Sequence, residues 1–172
     1  MSLVVLLGGA RSGKSELALR LTERADAPVV FVATGEAGDE EMADRIERHR
    51  QERPPSWTTV EEPVELAQAL AGIPAASTVI VDCLSLWVSN LIETTPAQEI
   101  EAAAAAAAEL AAARAGLSIA VTNEVGLGIV PANALARTYR DVLGRVNAGW
   151  VAAAAEAYFV VAGRALALER LA

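Results

Sequence analysis

The chain has 172 residues, an apolar share of 53% and a formal net charge of −8. This length is typical of one domain with a full hydrophobic core, and the negative charge argues against a general nucleic-acid surface. The single cysteine excludes an internal disulfide bond and is typical of the reducing cytoplasm. No apolar run approaches the roughly 20 residues that span a bilayer, and the first apolar run is too short for a signal peptide. We therefore expect one cytoplasmic domain over residues 1–172, in which local groups hold any anionic ligand.

The most informative stretch is GGARSGKS, from Gly8 to Ser15, which follows the apolar run Leu3–Leu7 and precedes a helical pattern. Its spacing, G-x-x-x-x-G-K-[ST] between a strand and a helix, is that of a P-loop. Glycines let backbone N–H groups turn toward phosphate oxygens, and the helix N-terminus adds partial positive charge. We expect Lys14, the only lysine of the chain, to reach the β- and γ-phosphates and the Ser15 hydroxyl to bind Mg²⁺. The alternative is a glycine-rich turn with an incidental lysine.

The next elements place a candidate nucleophile. A helix over about 13–24 leads to a short apolar strand at 29–33, which ends in Thr34-Gly35. Ligands of open α/β sheets bind at such carboxyl ends. A charged helix over 39–53 follows, with Met42 and Ile46 on its buried side and His49, the only histidine, one turn beyond Ile46.

The rest of the chain alternates strands and helices. We predict strands at 57–60, 78–82, 117–121 and 158–162, helices at 63–70, 83–92, 96–115 and 133–155, a flexible loop at 125–131, and a turn at Gly163. This β–α order predicts an α/β fold in three layers, with a mostly parallel sheet and helices on both faces.

Asp82 ends the apolar strand Thr78–Asp82. This is the Walker B pattern, in which the carboxylate holds the Mg²⁺ shell that faces the P-loop. The alternative is a carboxylate that only caps the strand end, which the presence of the P-loop disfavours.

His49 is open to two interpretations. A lone histidine on a surface helix is usually only solvated, yet Arg48 and Arg50 flank this one, and Arg45 and Arg53 lie one turn away. Such cations stabilise the charge that develops on a phosphate during transfer. On the residues alone, the choice between a solvated and a catalytic histidine stays open.

Further charged residues have alternatives of their own. Glu124, at a strand end, is either a group that orients a hydroxyl or accepts its proton, or part of a loop salt bridge. For Arg137, Arg140 and Arg145 we prefer a solvated face; the alternative is an anionic substrate or the site of a neighbouring subunit.

Five segments together resemble the bifunctional adenosylcobinamide kinase / adenosylcobinamide-phosphate guanylyltransferase family of cobalamin biosynthesis. They are GGARSGKS, VATGEAGDEEMADRIERHRQERP, SWTTVEEP, VIVDCLS and VTNEVGLGIVPANALARTYRDVLGRVN. The resemblance covers nearly the whole chain, and the VTNEVG block is its most specific part. It implies a RecA-like P-loop NTPase fold and a homotrimer with the nucleotide site near a subunit boundary.

The resemblance also implies the chemistry. The family phosphorylates the aminopropanol hydroxyl of adenosylcobinamide with ATP or GTP, and then transfers GMP from GTP onto that phosphate through a GMP-histidine intermediate. The family's I-x-x-H pattern falls on Ile46 to His49. Catalytic roles are thus implied for His49 and Lys14, and metal binding for Ser15 and Asp82. The implied nucleotide contacts are Gly8, Gly9, Ala10, Arg11, Ser12, Gly13, Lys14, Ser15, Ala33, Thr34, Gly35, Arg50, Gln51, Glu52, Arg53, Glu61 and Asp82.

Two other functions compete with this one. A plain P-loop small-molecule kinase would transfer phosphate without a covalent adduct, with His49 only a surface residue. A non-catalytic nucleotide-sensing protein would bind nucleotide without turnover. Whatever the function, we expect Trp57, Trp87 and Trp150 to be core or interface residues and not a corrinoid platform.

Overall fold

The structure is a computed structural model that describes residues 3–23, 25, 27–51 and 53–170, without the side chain of Arg45. The strands are β1 (Leu3–Gly8), β2 (Val29–Ala33), β3 (Thr58–Glu61), β4 (Thr78–Asp82), β5 (Ser118–Asn123), β6 (Glu156–Val161) and β7 (Arg164–Ala167). The helices are α1 (Lys14–Thr22), α2 (Glu40–Gln51), α3 (Leu66–Gly72), α4 (Leu84–Leu91), α5 (Ala97–Ala113) and α6 (Ala134–Ala153).

The seven strands form one sheet in the order β3-β2-β4-β5-β1-β6-β7. All neighbouring pairs are parallel except β6 and β7, which are antiparallel. The interior strand β1 is buried along its whole length, as expected of a continuously apolar parallel strand with helices on both faces. The predicted α/β class with a mostly parallel sheet is therefore confirmed.

Two apolar cores lie on opposite faces of the sheet. One packs alternate residues of β1, such as Leu3 and Val5, against buried side chains of α3, α4, α5 and α6. The other packs the intervening residues, Val4 and Leu6, against Ala18 of α1. This alternation follows from the period of two residues along a strand, and it yields the predicted three layers.

The C-terminal hairpin differs from the sequence-based prediction, which placed a turn but no strand after Gly163. Ala162 and Gly163 have φ values of 49° and 72° and lie between the paired residues Val161 and Arg164. Two central residues with positive φ form the tight turn that suits a twisted hairpin. The chain therefore reverses at once, and β7 adds an antiparallel edge strand beside β6.

Helix α3 begins later than predicted, at Leu66 and not at Pro63. The Glu62 carboxylate accepts hydrogen bonds from the backbone N–H groups of Val64 and Glu65, at 3.0 and 2.8 Å. This side chain stabilises a turn that competes with the helix start. None of the described helices is long and apolar enough to cross a bilayer.

Candidate active site

The carboxyl ends of the central strands surround a cleft of about 340 Å³, a size typical of small-molecule sites. The sheet register explains which residues meet there. Gly8, at the end of β1, pairs with Asn123 at the end of β5, and Ala33 of β2 pairs with Asp82 of β4. The P-loop, the Walker B strand and β5 thus end at one edge. We call this cavity the P-loop cleft.

Close backbone packing shapes the P-loop. A Cβ atom added to Gly8 would lie 2.1 Å from the carbonyl oxygen of Val160 on β6. Gly13 has a φ of 104°, which L side chains rarely adopt. The N–H of Gly163 donates to the Ser12 carbonyl at 2.9 Å, so the turn between β6 and β7 supports the loop from behind.

Lys14 begins α1, and its side chain is buried. Its ammonium group donates to the carbonyl oxygens of Gly8 and Gly9, at 2.9 and 2.7 Å, and approaches the Ser12 hydroxyl at 3.4 Å. These contacts hold a compact positive charge within the loop. This is the position from which a lysine reaches phosphate oxygens.

Ser15 and Asp82 both line the P-loop cleft, and both also line a second cavity. Among the described residues, no three His, Cys, Asp or Glu side chains gather into a metal-binding group. Mg²⁺ typically takes one or two protein oxygens together with water and substrate phosphates. A hydroxyl and a carboxylate beside a P-loop fit that need.

His49 lines both cavities, together with Ser15 and Asp82. It lies on α2, from which Met42 and Ile46 also face the P-loop cleft. No described side chain of α2 is fully buried, so the predicted buried side of this helix is a cleft wall and not part of either core. The sequence could not distinguish the two, because both favour apolar residues at helical spacing.

The second cavity has a volume of about 290 Å³, and we call it the side cavity. Arg53 lines both this cavity and the P-loop cleft, and it lies over the Phe31 ring, with its Cζ atom 3.8 Å from the ring centroid. Burial lowers the pKa of Arg53 from the ordinary arginine value, while the Asp82 carboxylate acts in the opposite direction. A partly desolvated cation therefore lies beside His49.

Trp57 also belongs to the side cavity and stacks on Phe31, with ring centroids 6.3 Å apart. As expected of a core residue it packs against the second apolar core, although it is only partly buried, whereas Trp87 and Trp150 are fully buried. Position next to a short edge strand, which only the tertiary structure defines, explains this difference.

The predicted nucleotide contacts divide by location. Those that line the P-loop cleft are Ala10, Arg11, Ser12, Gly13, Lys14, Ser15, Ala33, Gly35, Arg53 and Asp82. Gly8 and Gly9 contribute through the carbonyls that hold Lys14. Glu52 lies outside the described residues.

Four predicted contacts lie elsewhere. Thr34 is buried, and its hydroxyl accepts from the Cys83 N–H at 2.8 Å and donates to the Cys83 carbonyl at 2.7 Å; it joins the ends of β2 and β4. Arg50 and Glu61 form an exposed ion pair, and Gln51 donates to Glu47 at 3.0 Å. None of these four lines either cavity.

The charged residues with open alternatives also have positions. Glu124 accepts a hydrogen bond from the Gly126 N–H within its own loop and does not line the cleft. Arg137 donates to the carbonyls of Pro131 and Ala132, at 2.9 and 2.6 Å. Arg140 pairs with Asp141 and Arg145 with Glu101. Arg137 and Arg140 thus make contacts within their own segment, and the exposed Arg145 makes an ion pair with a residue of α5.

Sequence reasoning missed Asn123 and Phe31 as cleft residues. The only available signal was their place at or near the carboxyl ends of β5 and β2. That signal becomes useful only once these strands are known to flank β4.

The chain matches one protein family and individual proteins with the same description. A profile described as cobinamide kinase / cobinamide phosphate guanyltransferase matches residues 4–168. The bifunctional adenosylcobalamin biosynthesis protein CobP of Pseudomonas aeruginosa is 40% identical over 166 residues, 96% of each chain. The protein CobU of Escherichia coli, which carries the same bifunctional description, is 38% identical over 94% of this chain and 96% of its own.

A solved ATPase of the type III secretion system of pathogenic bacteria superposes with a TM-score of 0.51 at 12% identity, over 92% of this chain and 50% of its own. At this low sequence identity the match indicates a shared fold and nothing about function. The P-loop, the parallel sheet and the cleft at its carboxyl edge define an α/β protein of the P-loop class with a RecA-like fold. More specifically, the chain belongs to the cobinamide kinase / cobinamide phosphate guanyltransferase family. It is accordingly an enzyme of cobalamin biosynthesis, of the kinase and nucleotidyltransferase class.

Proposed function

We propose that this enzyme phosphorylates adenosylcobinamide with ATP or GTP and then transfers GMP from GTP onto the product. The products would be adenosyl-GDP-cobinamide and pyrophosphate, with GMP held covalently on His49 between the two halves of the transfer. The observation that carries the proposal is that His49 and the P-loop residues line one cleft. Family membership supports the same pair of activities.

In the first reaction, the substrate hydroxyl attacks the γ-phosphorus of the bound triphosphate. The bond from the γ-phosphorus to the bridging oxygen breaks, and a nucleoside diphosphate leaves. Lys14 and the backbone N–H groups of the P-loop stabilise the negative charge that moves onto the leaving oxygens. Since this chemistry needs little covalent help, the contribution of the protein is position and charge.

In the second reaction, an imidazole nitrogen of His49 attacks the α-phosphorus of GTP. A P–N bond forms, the bond between the α-phosphorus and its bridging oxygen breaks, and pyrophosphate leaves. A phosphate oxygen of the corrinoid then attacks the same phosphorus, which breaks the P–N bond and restores the free imidazole. Arg53, which lines both cavities with His49, would stabilise charge on the transferred group.

Ser15 and Asp82 would hold Mg²⁺, which neutralises charge on the triphosphate oxygens when it is bound. Chelation of divalent cations with EDTA is therefore expected to abolish both reactions, and added Mg²⁺ is expected to restore them. Asp82→Asn should raise the Mg²⁺ concentration needed for half-maximal rate. An unchanged Mg²⁺ requirement in that variant would remove Asp82 from the proposed metal site.

The decisive experiment is labelling with GTP that carries its label on the α-phosphorus. The native protein should retain label in a bond that is labile to acid and stable to base, as expected of a phosphoramidate, and His49→Ala should retain none. Arg48→Ala is the matched control, because Arg48 is exposed on the same helix and lines neither cavity. It should label like the native protein.

Label carried on the γ-phosphorus should not stay on the protein. If native protein with Mg²⁺ and GTP acquires no α-label but still phosphorylates adenosylcobinamide, the covalent mechanism is wrong and a plain kinase remains. If nucleotide binds and neither reaction occurs, a nucleotide-sensing role would replace the enzymatic proposal.

We also propose that the protein acts in the cytoplasm as a homotrimer. Support comes from the loop after β5, in which Leu127, Ile129 and Val130 are 78%, 97% and 62% exposed in the single chain. Exposed apolar clusters of this kind are typical of interaction surfaces. Light scattering after size-exclusion chromatography should give three times the chain mass, and a monomer mass would contradict the proposal.

A further inference from the structure

Asn123 is a cleft residue to which the P-loop chemistry described above gives no role. It ends β5, the strand between the P-loop strand β1 and the Walker B strand β4. It pairs with Gly8 of the P-loop and lies two residues beyond Val121, the partner of Asp82. It is one of the residues that line the P-loop cleft. This position is between the two motifs that flank the reacting end of a triphosphate.

A set of hydrogen bonds fixes the Asn123 amide. Its Nδ2 donates to the Ser85 hydroxyl at 3.1 Å, and this hydroxyl also contacts the Cys83 sulfur at 2.9 Å. The Tyr139 hydroxyl donates to the Ser85 carbonyl at 3.0 Å. Because Ser85 is buried and held in this way, the amide nitrogen of Asn123 has a fixed partner.

The Asn123 backbone is anchored from the opposite side. Asn147 of α6 donates to the Asn123 carbonyl at 3.1 Å and accepts from the buried Thr122 hydroxyl at 2.7 Å. Residues of the helices α4 and α6 thus hold Asn123 at the end of β5. Its Oδ1 atom has no hydrogen-bond partner among the described residues, which leaves a free acceptor at the cleft.

We propose that Asn123 Oδ1 accepts a hydrogen bond from the attacking hydroxyl of the substrate in the phosphoryl-transfer reaction, an inference that rests on the proposed function. The hydroxyl oxygen forms the bond to the γ-phosphorus as the bond to the bridging oxygen breaks. Its proton passes to a non-bridging oxygen of the transferred group, because an amide is too weakly basic to keep it. Asn123 therefore orients the nucleophile and is not a general base.

This role separates the two reactions. In guanylyl transfer the attacking groups are the His49 imidazole and then a negatively charged phosphate oxygen of the corrinoid, and neither of them is a hydroxyl that donates a proton to this acceptor. An amide oxygen only accepts hydrogen bonds, so it makes none with an attacking group that does not donate one. Glu124, the neighbouring residue for which a hydroxyl-orienting role was one of two alternatives, is engaged with the Gly126 N–H in its own loop. We therefore assign the orientation of the hydroxyl to Asn123 and not to Glu124.

The test measures the kinase reaction and guanylyl transfer in Asn123→Ala. The substrate is adenosylcobinamide for the kinase reaction and adenosylcobinamide phosphate for guanylyl transfer. Loss of the orienting bond should lower kcat of the kinase on the order of 10- to 100-fold, while guanylyl transfer stays within about 3-fold of the native rate. The KM for nucleotide should not change in either reaction. Ser85→Ala, which frees the amide to rotate, should give a smaller loss with the same selectivity.

Ser118→Ala is the matched control, since Ser118 is a buried polar residue at the other end of the same strand and does not line the cleft. It should leave the ratio of the two rates unchanged. If Asn123→Ala lowers both reactions equally, or neither, the inference is wrong while the proposed function stands. If the native protein catalyses neither reaction, the proposed function is wrong and the inference goes with it.

Discussion

Arg53 lies over the ring of Phe31, with its guanidinium carbon 3.8 Å from the ring centroid. Arg53 follows α2, the helix that carries His49, and its contact with Phe31 joins this part of the chain to the strand β2. Arg53 also donates to the Thr59 hydroxyl of β3 at 3.3 Å. One side chain therefore holds a cation at the boundary of the two cavities and ties the His49 segment to the sheet.

Replacement of Arg53 by Met should weaken GTP binding about 10-fold, because a partly desolvated cation near phosphate is lost. Arg53→Lys should recover little, since a lysine cannot stack its charge on Phe31 in the same way. Isothermal titration with GTP measures both variants. Arg48→Met, on the exposed face of α2, is the control; equal losses in Arg53→Met and Arg48→Met would show that only net charge matters.

Gly8→Ala should abolish nucleotide binding and destabilise the fold, because the added Cβ would meet the backbone oxygen of Val160 at 2.1 Å. The strand β6 cannot move away without breaking its pairing with β1. Gly144→Ala is the control: its Cβ meets nothing within 4 Å, and helix propensity favours it by about 0.5–1 kcal/mol. Chemical denaturation should give a lower free energy of unfolding for Gly8→Ala and a higher one for Gly144→Ala. Nucleotide titration should show lost binding for Gly8→Ala and native binding for Gly144→Ala. Normal GTP affinity in Gly8→Ala would contradict the P-loop packing described here.

Cys83 should make the protein lose stability at alkaline pH. Burial, and secondly the Asp82 carboxylate, raises the pKa of Cys83 to about 11, against about 8.5 for a free thiol. The thiol is protonated in both states below about pH 8.5; as the pH rises toward 11, the unfolded chain loses this proton while the folded one keeps it. This contribution to stability is thus complete at neutral pH and is lost through that window.

Urea denaturation from about pH 8 to about pH 10.5 measures the effect, and the native protein should lose on the order of 2 kcal/mol more than Cys83→Ala. Burial also raises the pKa of Tyr139 to about 12, so Tyr139→Phe separates its contribution, which begins near pH 10. Identical pH slopes for the native protein and Cys83→Ala would contradict the raised thiol pKa.

Arg114 should be a stability residue without a catalytic effect. Its guanidinium donates to the carbonyls of Leu70, Ile73, Pro74 and Ser77, at distances of 3.1, 3.1, 2.7 and 3.2 Å. Arg114→Met removes these four hydrogen bonds, of which those to Leu70 and Pro74 are to carbonyls that keep a backbone donor, and should cost about 2–4 kcal/mol of unfolding free energy.

Arg145→Met is the comparison for Arg114. The Arg145 side chain is 55% exposed in its pair with Glu101, and exposed pairs contribute at most about 1 kcal/mol. Both variants should keep native kcat for both reactions at a temperature where they are folded. A change in kcat for Arg114→Met would show coupling between the α3 end and the cleft.

Much of the candidate site was visible in local sequence. The P-loop, the strand that ends in Asp82 and the histidine one turn beyond Ile46 were all recognised, and the cleft contains Lys14, Ser15, His49 and Asp82. The choice between Glu124 and Asn123 was not visible. Both follow the apolar run at 117–121, and only the structure shows that β5 extends to Asn123 and that Asn123, not Glu124, lines the cleft.

The sequence by itself determined the order of strands and helices, the P-loop and the α/β class, because these depend on glycine spacing and on the periodicity of apolar residues over short segments. Tertiary structure alone decided the strand order, which places β4 and β5 beside β1 and so brings Asp82 and Asn123 to the P-loop. It also decided that α2 covers a cleft and does not enter a core. Both outcomes depend on contacts between residues far apart in the chain, whose energies no local pattern contains.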